Sequence, residues 1–344
     1  MHCGCTTLGY YRQAVSGHLE VMQRRVPLDE LIAAAQTPAE LKRQLKLVAA
    51  ARDFASGELK LPDNDSYRSY ADLNRKYVVW NVLAAPELSL EPVSSCFLFV
   101  GCLSYRGFFD EAQARRFAAS LEAGGNDVFV GGVAAYSTLG WFDDPVLNTM
   151  LVWDDVRIVE VIFHELTHQL HYTEGDTAFN EGFATAVAEI GIEMWLAKYD
   201  ELRVGHAENT QRQHQFFELL LDYRAKLESV YTGAENDDIK RRRKKQLISD
   251  LSLAYQELKQ TWNGYDGYDD WMNEDLNNAK LASIATYHHY VPAIRSILKK
   301  VDNNLTRFYA VIDALGSLSN IEREKCLSEP IGEVPCLDTI IDAD

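Results

Sequence analysis

The segment HELTH, from His164 to His168, constrains this chain more than any other, because it places two imidazoles four residues apart around a glutamate. On a helix, residues i and i+4 lie one above the other, so both imidazoles can reach one ion. Glu165 is rotated by about 100° from His164 and can reach a water on that ion without being a ligand. This pattern is typical of hydrolytic zinc sites.

The residues around this segment predict two consecutive buried helices. Ile158, Ile162 and Leu166 form an apolar stripe at helical spacing, and no proline or glycine interrupts VEVIFHELTH. We therefore expect one helix over residues 156–173 and a second over 177–199, with the short turn TEGD between them.

The third zinc ligand should come from the second helix, because a catalytic zinc usually takes three protein ligands. Suppose that the turn is centred on Gly175 and that Asp176 or Thr177 caps the second helix. His168 and Glu181 are then separated from the centre of the turn by similar numbers of residues. In an antiparallel hairpin these two positions face one another. Glu181 is therefore the predicted third ligand.

Two other side chains compete for this role. Glu189 is some 80° off the face of Glu181 and more than two turns away. His171 could share a face with His168, but that set leaves Glu165 without a role, so we interpret His171 as a neighbour of the ligands or part of the helix end. The predicted ligands of a single zinc ion are His164, His168 and Glu181.

An acid at position 181 also has a plain structural interpretation, in which the small residues of FNEGFATAVAE pack a buried helix and Glu181 caps or pairs with another group. An unpaired carboxylate between Phe179 and Phe183 would be costly, and a metal cation would supply its partner. Asp176 and Asn180 either orient the ligands or stabilise the start of the helix.

The rest of the chain predicts an α+β fold that is predominantly helical, with a small mixed sheet packed on the metal-binding helix. Strands are expected over 76–84, 94–105 and 126–137, with a helix over 110–125. From residue 156 onward we expect only helices, including a hairpin of 205–230 and 237–262. The predicted organisation is an N-terminal helical segment (1–75), a sheet and metal-binding core (76–200) and a helical C-terminal region (201–344).

The net charge limits the kinds of binding partner. The formal net charge of -17 would repel nucleic acids and anionic membranes. The basic run at 240–245 is either an anion contact or a solvated face that balances an acidic protein.

Six cysteines are too few for a disulfide framework in a chain of this length. The sequence is consistent either with reduced thiols or with one or two local disulfides. No apolar stretch reaches the roughly 18–20 residues of a membrane span.

Several ordered segments resemble the bacterial family of predicted zinc aminopeptidases, which are similar to zincins with a glutamate third ligand. They include 163–184, AYSTLGWFDDP (135–145), GCLSYRGFF (101–109), TLGYYRQAVSGHLE (7–20) and NNAKLASIATYHHYVPA (277–293). The resemblance spans nearly the whole chain. It implies a zincin-like fold, a zinc peptidase acting on peptides, and often a lipoprotein start.

The chain departs from the best-understood glutamate zincins in two ways. Only the residues 169–180 separate the second histidine from the glutamate, a shorter interval than in those enzymes. The segment VGGVAAYS also has no acid where they place the carboxylate that recognises a free amino terminus. Metal-dependent hydrolysis is therefore better supported than exopeptidase specificity.

The N-terminus leaves localisation open. Gly4-Cys5 followed by small polar residues is similar to the processed end of a bacterial lipoprotein, although no apolar segment precedes it. Either Cys5 carries a lipid and the protein is anchored at the periplasmic side of the cell envelope, or the pair is incidental and the protein is cytoplasmic if the start is native.

In the predicted mechanism, Glu165 is the general base that takes a proton from the attacking water. Tyr287 is the expected oxyanion donor, with His288 and His289 as alternatives; the other interpretation places these residues at a helix interface. Two alternative functions remain. One is a zinc hydrolase of a non-peptide amide, and the other is a non-catalytic, metal-stabilised envelope protein that Glu165→Gln would leave unaffected.

A substrate-binding rim is expected in AYSTLGWFDDP, where an edge strand would present backbone groups to an extended peptide. Tyr136, Ser137 and Trp141 are the expected contact residues. Ordinary core packing is the alternative for Trp141 and Phe142.

Overall fold

The computed structural model describes residues 3–97, 101–199, 205–288, 290–328 and 340. Helices in these ranges are α1 (Cys3–Gln23), α2 (Leu28–Ala33), α3 (Ala39–Gly57), α4 (Glu111–Glu122), α5 (Asp155–Leu170), α6 (Thr177–Lys198), α7 (His206–Thr232), α8 (Asp237–Gln260), α9 (Asp269–Asn273), α10 (Asn278–His288), α11 (Val291–Lys300), α12 (Leu305–Gly316) and α13 (Asn320–Ser328). The strands are β1 (Arg25–Pro27), β2 (Ser69–Ala71), β3 (Val79–Pro86), β4 (Ser95–Phe97), β5 (Gly101–Leu103), β6 (Arg106–Phe108), β7 (Asn126–Val133) and β8 (Val146–Leu147).

The strands form three small sheets. A mixed sheet has the order β1-β2-β8, with β1 antiparallel and β8 parallel to β2. An antiparallel sheet has the order β6-β3-β7. The third sheet is the hairpin β4-β5. Helices surround these sheets, so the predicted α+β class with a small mixed sheet and mostly helical structure is confirmed.

One predicted strand is wrong in its extent. The described part of residues 94–105 contains two strands, β4 and β5, which pair antiparallel, and Cys96 lies opposite Cys102 and forms a disulfide with it. Residues 98–100 of the predicted strand lie outside the described residues. The turn through Tyr105 then leads into β6. The other two predicted strands are present as β3 and β7, which pair with each other over their full lengths.

Helix α5 lies between α3 and α6 and is capped by Asp154, whose side chain accepts from the backbone N–H of Arg157. The predicted stripe of Ile158, Ile162 and Leu166 is fully buried. It shares the largest hydrophobic core with residues of the mixed sheet, α3, α6 and α11–α13. The core thus fixes which face of α5 carries the two histidines.

Helix α6 is buried on most of its surface, and two glycines allow its close packing. A Cβ atom on Gly191 would lie 2.6 Å from Cδ2 of Phe163 on α5. A Cβ atom on Gly182 would lie 3.2 Å from Cβ of Tyr290. The small residues that the sequence shows in α6 therefore set the distance between α6 and its neighbours.

The C-terminal region contains the predicted helical hairpin, formed by α7 and α8 around a second core. The basic run at 240–245 lies in α8, where Arg241 pairs with Glu87 and Lys244 with Asp127. These contacts tie the hairpin to the sheet. Along the described ranges, no helix combines the length and apolar character needed to span a lipid bilayer.

Candidate metal centre

Three side chains from α5 and α6 meet at one point. His164 Nε2 lies 3.1 Å from Glu181 Oε2 and 3.1 Å from His168 Nε2. His168 Nε2 lies 3.5 Å from the same carboxylate oxygen. One candidate ligand atom from each residue lies within 4.8 Å of the other two. The structure therefore brings together the three residues that the sequence singled out.

A tight turn carries Glu181 back to the histidines. Gly175 has a φ of +78°, a left-handed conformation that favours glycine. The Asp176 side chain caps α6 by accepting from the Phe179 N–H, and the Asn180 amide both donates to the Thr173 carbonyl and accepts from the Thr173 N–H, each at 2.8 Å. The short interval between His168 and Glu181 thus closes without displacing either side chain.

Asp176 and Asn180 therefore stabilise the turn and the start of α6. Asp176 is also bound by the buried guanidinium of Arg323, whose Nε donates to its Oδ2 at 2.8 Å. The hydrogen bonds described for the two side chains go to this turn and to Arg323. A role in orienting the ligands would act through the position of the turn.

Burial and the charges of neighbouring side chains shift the pKa values of Glu181, His168 and Glu165. Burial acts to raise the pKa of Glu181, but His168 and His164 outweigh it and hold that pKa well below its usual value. Burial acts to lower the pKa of His168, and the Glu181 carboxylate reverses the direction, so the pKa is raised. The pKa of Glu165 is raised chiefly by burial, with both imidazoles opposing the change.

These three residues fit a divalent cation of the zinc type. Two imidazole nitrogens and one carboxylate oxygen form a donor set that catalytic zinc takes, with a further position left for water. Two Nε2 atoms that face each other and the same carboxylate suit a shared cation. His168 Nδ1 is buried and has no hydrogen-bond partner among the described residues, so this histidine lacks the outer hydrogen bond usual in zinc sites.

The two rival ligands are engaged elsewhere. His171 Nδ1 lies 2.7 Å from Asp313 Oδ1, and its Nε2 lies 3.0 Å from Thr173 Oγ1. This pairing fits the helix-end role that the sequence left open. Glu189 accepts from Arg295 at 3.1 Å. The cluster that could hold a metal in the described part of the chain contains neither residue.

The triad opens into a cavity of about 850 Å³. Glu165 also lines this cavity, so it shares one cavity with the three candidate ligands. The other walls come from α1, the strands β3 to β7, α7 and α10. The volume lies within the range of about 300–1,000 Å³ that is usual for small-ligand sites.

The predicted substrate rim is placed only in part. Tyr136 and Ser137 line the cavity. Trp141 does not belong to its lining and is 72% exposed, so core packing does not describe it either. Leu139 and Gly140, with φ values of +56° and +81°, form the turn that precedes it. These left-handed conformations turn the chain so that Trp141 lies on the surface.

One buried carboxylate holds this rim in place. Asp144 is 1% exposed, and its Oδ2 accepts from the Thr138 N–H at 2.7 Å and from the Thr138 hydroxyl at 3.0 Å. Burial raises the pKa of Asp144 to about 7, although the hydrogen bonds from Thr138 act to lower it. Its Oδ1 is buried and has no hydrogen-bond partner within the described ranges.

Two tyrosines in the cavity were not singled out from the sequence. Tyr105 and Tyr172 both line it, and burial, followed by the charge of Glu181, raises the pKa of each hydroxyl. Tyr105 lies in GCLSYRGFF, a segment whose resemblance was the only signal for it. The side chain of Tyr287, the predicted oxyanion donor, lies outside the described residues, as does that of Cys5.

Comparison with known proteins agrees with these features. The model of the family described as "Aminopep: Putative aminopeptidase" matches residues 9–327. Neither a curated protein nor a solved structure shows a significant match to the chain. The matched region contains the triad, Glu165 and all of the residues that line the cavity, and it covers most of the 344 residues. The chain therefore belongs to this aminopeptidase family.

Proposed function

We propose that this protein is a zinc-dependent peptidase that hydrolyses short peptides, with an aminopeptidase as the favoured form. The observation that carries the proposal is the presence of His164, His168, Glu181 and Glu165 in one cavity. The family membership supports the same reaction class. His164, His168 and Glu181 would hold the ion.

A zinc ion bound there would supply Lewis-acid chemistry, which acidifies water and polarises a carbonyl. Glu165 takes a proton from the attacking water and transfers it to the leaving nitrogen. Burial raises the pKa of Glu165, and this direction suits a carboxylate that must take up a proton and then release it. Tyr105 and Tyr172 are candidates to donate a hydrogen bond to the developing oxyanion, beside the earlier candidate Tyr287.

The cavity also bears on the kind of substrate. Helix α1 contributes Tyr10, Tyr11 and Ala14 to its lining and so forms part of its wall. Its volume suits a few amino-acid residues and not the surface of a folded protein. Free peptides are therefore the proposed substrates, bound along the segment that contains Tyr136 and Ser137.

The disulfides support a location outside the reducing cytoplasm. Cys96 is bonded to Cys102, and Cys326 is also disulfide-bonded. Such bonds persist mainly in oxidising compartments. A peptidase of the cell envelope is the proposed setting.

The test combines metal analysis with peptide cleavage. We expect the purified protein to bind one zinc ion, Glu181→Ala to bind much less, and Glu165→Gln to bind as much as wild type. We expect wild type to cleave short peptides and Glu165→Gln to cleave them at least about 100-fold more slowly. Full zinc retention in Glu181→Ala would remove it from the ligand set.

Substrate form separates the alternatives. Amino-acid amides and free peptides are compared with their N-acylated counterparts. Cleavage of free peptides alone supports an aminopeptidase, and cleavage of the acylated forms supports another amide hydrolase. No cleavage of either set, with zinc bound, would favour the non-catalytic metal protein.

A further inference from the structure

We infer that one wall of the cavity is a specificity pocket for a large apolar side chain next to the bond that is hydrolysed. This inference rests on the proposed function and adds a substrate class to it. The wall, called here the apolar wall, is formed by residues from α1, the β4-β5 hairpin and the segments that follow β6 and β7. Its members are Tyr10, Ala14, Phe97, Leu103, Phe109 and Tyr136.

Four of the six members of the apolar wall form two pairs of packed aromatic rings. The ring centroids of Tyr10 and Phe97 lie 5.5 Å apart, and those of Phe109 and Tyr136 lie 5.2 Å apart. These are ordinary distances for packed aromatic rings. All six members have aliphatic or aromatic side chains, so the wall brings no charged group of its own to the cavity.

Several contacts hold α1 against the cavity. The Gln13 side chain accepts from the Phe109 N–H at 2.8 Å. Gly17 lies so close to the Phe109 ring that a Cβ atom there would be 2.1 Å from Cγ. Behind the wall, the Arg106 guanidinium stacks on Tyr10, with its carbon 4.0 Å from the ring centroid. The wall is thus preorganised before a ligand enters.

The hairpin side of the wall is fixed covalently. The Cys96–Cys102 disulfide joins the two strands that carry Phe97 and Leu103. These two side chains flank the bond on either strand and both line the cavity. The hairpin cannot open without breaking this bond, so the width of the pocket is defined on this side.

The opposite wall differs chemically. There α5 and α6 contribute Arg157, Glu160 and Glu189 to the lining. A charged substrate side chain placed against the apolar wall would lose its water without gaining a partner there, whereas an apolar side chain would lose only unfavourable hydration. The apolar wall therefore selects Leu, Phe or a similar side chain over Ala, Asp or Lys.

Two adjacent residues of α1 provide a matched pair of variants. Ala14 lines the cavity, whereas Val15 is 58% exposed on the outer face of the same helix. Ala14→Phe would fill the pocket, and Val15→Phe adds a similar bulk outside it. Leu103→Ala would enlarge the pocket and serves if Ala14→Phe fails to fold.

Cleavage is measured as kcat/KM on peptides that carry Ala, Leu, Phe, Trp, Asp or Lys on either side of the bond. In wild type we expect Leu or Phe to exceed Ala by about 10- to 100-fold at one of the two positions. Ala14→Phe should lower kcat/KM for the Phe peptide by at least about 10-fold more than for the Ala peptide. Val15→Phe should resemble wild type, and Leu103→Ala should raise the Trp-to-Leu ratio.

Binding of the same peptides to Glu165→Gln, measured by calorimetry, separates the two proposals. A preference for apolar peptides in binding without any cleavage in wild type overturns the peptidase but supports the pocket. Cleavage and binding that are insensitive to the varied side chain overturn the pocket and leave the peptidase standing. Equal losses for all peptides in Ala14→Phe, with an unchanged Trp-to-Leu ratio in Leu103→Ala, also overturn it.

Discussion

Replacing Asp144 with asparagine should make the protein more stable at neutral pH and leave its stability almost unchanged in acid. The side chain keeps its shape, and an amide oxygen can still accept from Thr138. Burial raises the pKa of this carboxyl from 3.8 to about 7 in the folded protein. Because the pKa is raised, the folded state binds the proton of Asp144 more tightly than the unfolded state does between about pH 4 and pH 7.

The size of the effect follows from this difference. Each pKa unit corresponds to about 1.36 kcal/mol, so a rise of about three units amounts to roughly 4 kcal/mol. The stabilisation that comes from the bound proton is complete below about pH 4 and is lost as the pH rises to about 7. The free energy of unfolding of wild type should therefore fall relative to Asp144→Asn by about 1.4 kcal/mol per pH unit in this window.

The assay is urea unfolding of the metal-free proteins, followed by circular dichroism at pH 5, 6, 7 and 8. Taking the difference between wild type and Asp144→Asn cancels the titration of groups that both proteins share. Asp143→Asn, at the exposed neighbouring position, controls for the loss of one negative charge. A difference that does not change with pH would refute the assignment of a perturbed carboxyl to the rim.

Three further predictions test other parts of the structure. Gly191→Ala should lower the free energy of unfolding, measured by urea titration, by about 1–3 kcal/mol, because the added Cβ atom meets the Phe163 ring. Gly57→Ala is the control. Open space surrounds Gly57, so this variant should be neutral or slightly stabilising in the same titration. Removing the Cys96–Cys102 disulfide by Cys96→Ser with Cys102→Ser should cost roughly 2 kcal/mol by releasing a short loop. Thermal unfolding of this variant and of wild type, both without reductant, measures the loss while the disulfide of Cys326 stays intact. Zinc at about 100 times its Kd should stabilise wild type by about 2.7 kcal/mol in calorimetry, and the absence of this gain is expected in a variant that lacks the His168 imidazole.

The sequence predicted the helices of the metal centre well because local rules govern them. The apolar stripe of α5 and the cap at Asp176 depend on neighbouring residues, and both are present. The opposition of Glu181 to the histidines followed from the length of one turn. Such short-range relations follow from the spacing of residues along the chain, which can be read directly from the sequence.

Contacts between distant segments could not be predicted in this way. The docking of α1 over the cavity depends on Gly17 lying against Phe109, which are far apart in sequence. The reversal at Cys96 and Cys102 divides an apolar stretch that has the composition of one continuous strand. Tyr105 enters the cavity because of that reversal, so its role depends on a tertiary contact.

The turn between α5 and α6 has a consequence for how a site of this kind can vary. Arg323, from the far end of the chain, holds Asp176, so the first turn of α6 is fixed from outside the loop. Glu174 and Gly175 are exposed, whereas Thr173 and Asp176 on either side of them are held by hydrogen bonds with Asn180 and Arg323. Residues inserted between Glu174 and Gly175 would therefore extend the turn towards solvent while both of its sides, and with them the three candidate ligands, keep their positions.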